Sequence, residues 1–279
     1  MNPRLGFAYN PTNPAALALS KRAAGWCEQR GLAHWEAPPG EYERLLAELP
    51  TTDLLLVLGG DGTFLRAARA VADVDVPLLG VNLGKIGFLS KVEAADLERI
   101  LDELLAGEYR IDERMALEGL ILRGGTGPAE RHVALNDVVV ARGSLARVVH
   151  LEVEIDETHL ATYIADGLVV ASPTGSTGYA FSSGGPIVDP KSRNLIVTPI
   201  AAYLSAIRAI VVGPDQVVRT RVVQAYEALV SIDGREDVPI VVGDVVEVRA
   251  LERPIRLIEP ASSLPFWDLL RHKVELLPK

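Results

Sequence analysis

The sequence predicts two domains of different class, an α/β domain followed by a β-rich domain. Strand-like and helix-like segments alternate along residues 1–109, which is typical of a doubly wound parallel sheet. Strand-like segments separated by turns dominate residues 110–258, which favours a β-sandwich. An amphipathic segment at 266–274 predicts a final helix, so we expect residues 259–279 to return to the first domain and complete it.

The elements of the first domain follow from local signals. Asn10-Pro11 ends a short apolar strand, Gly31 ends a helix rich in Ala and Leu, and Pro50 ends a second helix. The five-residue run Leu54–Leu58 is wholly apolar, which predicts a strand buried on both faces. The predicted strands are 5–11, 34–36, 54–58 and 76–82, and the predicted helices are 14–30, 41–49 and 94–106.

The second domain has one hairpin signal and one predicted helix among its strands. Asp156-Glu157-Thr158-His159 is typical of a hairpin tip. An Ala-rich segment near 201–209 predicts a helix that interrupts the strands. The predicted strands are 115–123, 131–141, 148–155, 160–165, 168–171, 217–223, 228–232 and 245–251.

Composition excludes several classes of function. The 279 residues are 48% apolar and 23% charged, so the chain is long enough and apolar enough to bury a substantial core. The net charge is -9 and no Lys/Arg cluster stands out, so we expect no nucleic-acid partner. Cys27 is the single cysteine, which rules out an intrachain disulfide. We expect a cytoplasmic protein, because the sequence has neither a signal-peptide pattern nor an apolar run of membrane-spanning length.

The glycine-rich stretch after the Leu54–Leu58 strand predicts a phosphate-binding turn. Gly59, Gly60 and Gly62 bracket Asp61, and Thr63 is expected to cap the helix that follows. Backbone N–H groups at such a strand–turn–helix junction point at a bound anion. Since a carboxylate repels phosphate, Asp61 calls for a task of its own, either holding a cation or accepting a proton from an attacking hydroxyl. The alternative is a structural turn in which Asp61 caps the helix.

Two polar side chains interrupt an apolar strand at Asn136-Asp137. An amide and a carboxylate together suit the hydroxyls of a ribose or the edge of a base. The alternative is a simple Asn-Asp bend at the end of a strand.

The densest polar stretch runs from Asp166 to Gly185. It contains six hydroxyl-bearing Ser and Thr side chains and five glycines around one short strand, and Tyr179 can stack on a planar base. The alternative is a solvated Ser/Gly loop, although apolar residues frame the stretch on both sides. No G-x-x-x-x-G-K-[ST] motif is present, Thr174 breaks a G-x-S-x-G pattern, and the five histidines lack metal-ligand spacing.

Together these motifs resemble the NAD kinase family. Gly59-Gly60-Asp61-Gly62-Thr63 is similar to the GGDGT motif of that family, Asn136-Asp137 to its NE/D motif, and Asp166-Gly167 with 173–179 to its DG and PTGSTAY motifs. Gly184-Gly185-Pro186-Ile187 matches the GGPI that follows. The order and spacing agree from about residue 54 to 190, and the two-domain layout, with its Rossmann-like first domain, agrees over the whole chain.

The resemblance implies transfer of the γ-phosphate of ATP to the 2′-hydroxyl of the adenosine ribose of NAD+. Asp61 would be the catalytic base, Gly59, Gly60, Gly62 and Thr63 would form the phosphate turn, and a divalent cation, Mg²⁺ by expectation, would accompany ATP or polyphosphate. A homodimer or homotetramer is also implied. No metal ligand is expected from the protein itself. The implied NAD-binding residues are Asp61, Gly62, Arg66, Asn136, Asp137, Arg147, Asp166, Thr177, Gly178, Tyr179, Ala180, Phe181, Ser182, Ala201 and Arg235.

The sequence departs from the family pattern at two positions and leaves two alternatives open. Gly178 stands where the family has Ala, and Arg235 stands where many members have Gln. The segment 82–89 resembles the NxGxLGFL segment of the family, but its Lys85 has no assigned role. The alternatives are a lipid kinase of the GGDG type, in which 174–179 would have no role, and a non-catalytic NAD(P)-binding module, which would not need Asp61.

Overall fold

The chain folds into two compact units, as seen in a computed structural model that describes residues 3–38, 41–83, 87–144, 147–203 and 207–275. The first unit contains residues up to Glu113 together with Ile255 onwards, and the second contains Arg114–Pro254. The predicted fold class, an α/β first domain with a β-rich second domain and a last helix, is confirmed. Elements are labelled below in chain order.

The first unit is built on a seven-stranded sheet. The strands are β1 (Leu5–Tyr9), β2 (His34–Ala37), β3 (Leu54–Leu58), β4 (Leu78–Asn82), β5 (Val92–Glu93), β6 (Tyr109–Arg114) and β19 (Ile255–Pro260), and the α-helices are α1 (Pro14–Gln29), α2 (Tyr42–Glu48), α3 (Asp61–Val71), α4 (Leu97–Ala106) and α6 (Phe266–Glu275). The strand order is β2-β1-β3-β4-β19-β6, with the short β5 beside β4, and the first four strands of this order pair in parallel.

The boundaries of these helices have identifiable causes. The side chain of Asn13 accepts a hydrogen bond from the N–H of Ala15, which caps α1. Gly107 ends α4 in the left-handed conformation, at φ 74°. All five residues of β3 are buried, which confirms the prediction of a strand covered on both faces.

The second unit is a sandwich of two six-stranded sheets. The strands are β7 (Leu117–Leu122), β8 (Ala129–Ala134), β9 (Asp137–Arg142), β10 (Val149–Ile155), β11 (Thr158–Ala165), β12 (Gly167–Ala171), β13 (Leu195–Ile200), β14 (Ile210–Val212), β15 (Val218–Gln224), β16 (Ala228–Ile232), β17 (Glu236–Ile240) and β18 (Val245–Ala250), and the one α-helix among the described residues of this unit is the short α5 (Tyr179–Ser182). One sheet has the order β11-β10-β15-β18-β7-β8 and the other the order β14-β13-β12-β9-β16-β17.

The core of this unit explains why β12 is apolar at every position. Leu168 and Val170 belong to the cluster between the two sheets, whereas Val169 and Ala171 face the other side. On that side Ala180 of α5 covers them, so the strand is buried on both faces.

Two sequence predictions for this unit are wrong. The predicted strand 131–141 is divided at residues 135–136 into β8 and β9, which belong to different sheets. The helix predicted near 201–209 is absent from the described residues 201–203 and 207–209, while 204–206 lie outside the described part of the chain. Ala201 has a φ of 47°, which a right-handed helix does not allow.

Candidate active site

The glycine turn joins β3 to α3 through a very close approach of backbone and side chain. Helix α3 begins at Asp61 with Gly60 as its N-cap, and no side chain caps it. The prediction that Thr63 caps this helix is therefore wrong, since Thr63 lies within the first turn and is buried. It packs back on the turn, where a Cβ added to Gly59 would lie 2.6 Å from its hydroxyl oxygen.

The first turn of α3 has the donors that an anion requires. The first N–H groups to bond within the helix are those of Thr63 and Phe64, both donating to the carbonyl of Gly60. The N–H groups of Asp61 and Gly62 precede them and have no acceptor inside the helix. The helix dipole adds positive potential at this end. Arg66 lies one turn further along and is exposed.

The carboxylate of Asp61 binds a distant segment of backbone instead of its own helix. Its Oδ2 accepts a hydrogen bond from the N–H of Phe88 at 2.9 Å, and its Oδ1 accepts from those of Leu89 and Ser90, both at 3.2 Å. The structural alternative, in which Asp61 caps α3, does not describe this contact. The acid is half-buried, and both of its oxygens are held by fixed donors.

In the second unit, a half-buried carboxylate stabilises the bend between β8 and β9. Asp233 accepts hydrogen bonds from three consecutive N–H groups, those of Leu135 at 3.0 Å, Asn136 at 2.7 Å and Asp137 at 3.1 Å. These donors would otherwise pair along a strand. The alternative of an Asn-Asp bend is therefore right about the backbone, and sequence reasoning missed Asp233 as its cause.

The bend places Asn136 and Asp137 on the wall of a cavity of about 380 Å³. Tyr179 and Ser231 share this wall, which is part polar and part apolar. Burial, together with the nearby carboxyl group of Asp233, raises the pKa of Asp137 to about 7. Burial also raises the pKa of Asp233, against the opposing effect of its three N–H donors and of Arg235. Asp137 can therefore act as a hydrogen-bond donor near neutral pH.

Two hydroxyls of the polar stretch 166–185, those of Ser172 and Ser176, hold the turn after β12 together. The Ser172 hydroxyl donates to the carbonyl of Leu135, and the Ser176 hydroxyl donates to the carbonyl and accepts from the N–H of Val188. The turn also packs on the bend itself, because a Cβ at Gly175 would lie 2.6 Å from the carbonyl carbon of Asn136. The contacts of these serines and of Gly175 therefore stabilise the turn and its packing on the bend.

Helix α5, residues 179–182, exposes two aromatic rings. Tyr179 is 47% exposed and Phe181 is 53% exposed, and Ser182 is also exposed. Thr177 and Gly178 are half-buried just before the helix. The side chain of Ala180 is fully buried in the cluster above β12, and the predicted contact of this residue with a ligand stays a prediction. Large exposed rings on a short helix suit stacking on a planar base.

Four further predicted site residues of the second unit, described next, do not line the cavity at Asp137. Asp166 receives two hydrogen bonds from Arg142, at 2.7 and 3.2 Å, a partner that sequence reasoning missed. Arg147 lies over the ring of Tyr226 at 5.6 Å, and Ala201 lines a second cavity of about 360 Å³. Arg235 is in the turn beside Asp233. Lys85 lies outside the described residues.

Neither a protein-held metal centre nor a membrane span is found in the described part of the chain. No group of three or more His, Cys, Asp or Glu side chains there could hold a metal ion. No helix among the described residues is long and apolar enough to cross a membrane.

N–H groups without a partner inside their helix, beside a firmly held carboxylate, suit phosphoryl transfer to a hydroxyl, and a polar and aromatic cavity suits a nucleotide. These features define the class of protein as a nucleotide-dependent kinase.

Comparison with known proteins shows which kinase family this is. The ATP-NAD kinase N-terminal domain matches residues 18–109, and the ATP-NAD kinase C-terminal domain matches residues 135–260. The chain is 41% identical to an NAD kinase of Heliobacterium modesticaldum, over 98% of this chain and 99% of that protein. It is 44% identical to an NAD kinase of Symbiobacterium thermophilum, over 93% of this chain and 88% of the relative. The chain belongs to the ATP-NAD kinase family, and the predicted NAD+ kinase is confirmed.

Solved structures show the same fold. The yeast NADH kinase complexed with NADH superposes with a TM-score of 0.81 at 24% identity, covering 99% of this chain and 88% of that one. An NAD kinase from Archaeoglobus fulgidus in complex with ATP gives a TM-score of 0.79 at 23% identity, covering 99% and 100%. Neither the lipid kinase nor the non-catalytic module receives support from these relatives.

Proposed function

We propose that the chain transfers the γ-phosphate of ATP to the 2′-hydroxyl of the adenosine ribose of NAD+, giving NADP+ and ADP. The observation that carries this proposal is the Asp61 carboxylate, held by three N–H groups at the beginning of a helix whose first donors suit phosphate. In the transfer, Asp61 accepts the proton of the 2′-hydroxyl while the hydroxyl oxygen forms a bond to the γ-phosphorus. The bond from that phosphorus to the oxygen of ADP breaks.

The second unit supplies residues for the dinucleotide. Asn136 and Asp137 offer an amide and a carboxyl group to hydroxyls or to a base edge, and Tyr179 offers a ring for stacking. We assign the remaining predicted contacts to Thr177, Gly178, Phe181 and Ser182 around α5. We propose NAD-binding roles for four further residues as well, Asp166, Arg147, Ala201 and Arg235.

A divalent cation enters this reaction with ATP. Phosphoryl transfer needs a metal ion on the phosphates of the donor, so the substrate in this proposal is the complex of ATP with the ion, and Mg²⁺ is the ion we propose. The N–H groups of Asp61 and Gly62 and the guanidinium of Arg66 supply the positive potential on the protein side. A cytoplasmic location and a homodimer or homotetramer stay predictions.

The assay for this proposal measures NADP+ directly. Purified protein is incubated with MgATP and NAD+, and NADP+ is quantified with an NADP-specific dehydrogenase. Parallel reactions replace ATP by polyphosphate and NAD+ by NADH, which defines the donor and the acceptor. Formation of NADP+ that requires both substrates is the expected result. Folded protein that forms no NADP+ above background would overturn the proposal.

A further inference from the structure

The backbone of residues 87–90 surrounds the Asp61 carboxylate more tightly than a simple capping contact would. Phe88, Leu89 and Ser90 point three successive N–H groups at it, one to Oδ2 and two to Oδ1. Because both oxygens are bound, the plane of the carboxylate as well as its position is fixed. The three donors lie 27 to 29 residues beyond Asp61 in sequence, so the contact is tertiary.

Gly87 provides the room for this arrangement. A Cβ added to Gly87 would overlap Oδ1 of Asp61 and would lie 2.6 Å from its Cγ and 2.8 Å from its Oδ2. Real Cβ atoms do not approach other atoms so closely, so the carboxylate occupies the space that any side chain at position 87 would need. A glycine at position 87 is thus a condition for the orientation of Asp61.

The segment that makes these contacts is itself fixed. It packs directly on Gly80 of β4, where no side chain intervenes. A Cβ at Gly80 would be 2.7 Å from Cα of Ser90 and 2.9 Å from the carbonyl oxygen of Leu89. Leu89 and Ser90 are buried, at 6% and 0% exposure. The ring of Phe88 contacts that of Phe266 in α6, with centroids 6.1 Å apart. The three N–H donors therefore form a preorganised binding site for the carboxylate of Asp61.

The binding of the Asp61 carboxylate by residues 88–90 also affects the free N–H groups at the beginning of α3. An acid in the first turn of a helix ordinarily competes for the free N–H groups there. Since the Asp61 carboxylate is bound elsewhere, those N–H groups stay available for an anion.

We propose that residues 87–90 are the positioning element of Asp61, with Gly87 as the residue that admits the carboxylate and the N–H groups of 88–90 as the donors that orient it. The part of this proposal that concerns catalysis rests on the proposed function. Gly87 does not touch the substrate in this account, so it is a positioning residue.

The first test is a thermal-denaturation cycle that needs no activity. Gly87→Ala is introduced into the wild type and into Asp61→Ala. We expect it to lower the Tm of the wild type by several degrees and to leave that of Asp61→Ala almost unchanged, because the added methyl group then has room. Gly6→Ala is the steric control, since its Cβ would meet the Trp35 ring at 2.6 Å, and it should lower both Tm values equally. Gly25→Ala, whose Cβ meets nothing within 4 Å, should lower neither.

The second test is kinetic. We expect Gly87→Ala to lower kcat at least about 10-fold, since a small displacement of a reacting group is costly. The KM for NAD+ should change by less than about 3-fold, because uniform binding is retained. In Asp61→Ala, Gly87→Ala should remove no further activity. Equal losses of Tm in both backgrounds, or an unchanged kcat in Gly87→Ala, would overturn the proposal. If the wild type forms no NADP+, the proposed function fails while the denaturation cycle still decides whether residues 87–90 hold Asp61.

Discussion

The two units use one contact, a carboxylate bound by three consecutive N–H groups, for opposite purposes. In the first unit Phe88, Leu89 and Ser90 lie on a buried, packed segment, and they hold the half-buried side chain of Asp61. In the second unit the side chain of Asp233 holds the backbone of residues 135–137, and two of these residues, Asn136 and Asp137, line a cavity. The backbone positions the acid in one case, and the acid positions the backbone in the other. Removing the two acids should therefore have different consequences.

The largest effect is expected for Asp233→Ala, which breaks the second contact. It leaves three N–H groups without their acceptor in a buried bend, and it should lower the free energy of unfolding by at least about 3 kcal/mol. Urea denaturation followed by circular dichroism measures this loss. Asp156→Ala is the matched control, because Asp156 also has a positive φ and accepts the N–H of Val217, but on the surface. An equal loss in the two variants would contradict a special role for Asp233.

Asp61→Asn tests the other side of the comparison. The amide retains the shape of the side chain but cannot accept a proton, so turnover should fall by at least about 10²-fold while NAD+ binding persists. Initial rates and isothermal titration calorimetry measure the two quantities. Asp102→Asn, which changes an exposed acid paired with Arg30 on the same unit, should leave the rate unaltered. A variant Asp61→Asn that is as active as the wild type would remove Asp61 from the catalytic role.

The smallest effect is a pH dependence that sharpens the account of the second contact. Burial and the nearby Asp233 raise the pKa of Asp137 to about 7. The unfolded chain loses this proton at about pH 4, so this group reduces stability progressively as the pH rises from about 4 to about 7. Asp137→Asn cannot ionise, so its Tm relative to the wild type should increase by a few degrees from pH 5 to pH 8. A Tm difference that is the same at both pH values would contradict the raised pKa.

Local patterns were sufficient for the parts of the fold that depend on neighbours in sequence. The apolar run of β3 and the glycines after it predict a buried strand, a turn and a helix, and all three are present. The family resemblance is confirmed as well. It could be recognised from sequence because its motifs lie within continuous stretches of the chain.

The two carboxylate contacts could not be predicted, because each joins segments far apart in sequence. Nothing near Asp61 reveals that Phe88 to Ser90 will bind it, and Asp233 lies 96 to 98 residues beyond the bend that it stabilises. Ser172 and Ser176 mislead in a different way. Their hydroxyls suggest ligand contacts, whereas the fold uses them for backbone groups that become apparent only when β8, β9 and β12 are assembled.

The position of β19 has a consequence for the order in which the chain can fold during synthesis. This strand comes from residues 255–260 and lies between β4 and β6 in the first sheet. The ribosome therefore releases every residue of the second unit before the strand that closes the first sheet becomes available. Until then β4 and β6 expose unpaired backbone edges, which favour association with other chains. The first unit is thus the last to be completed, and a nascent chain that ends before Ile255 is the form most in need of a chaperone.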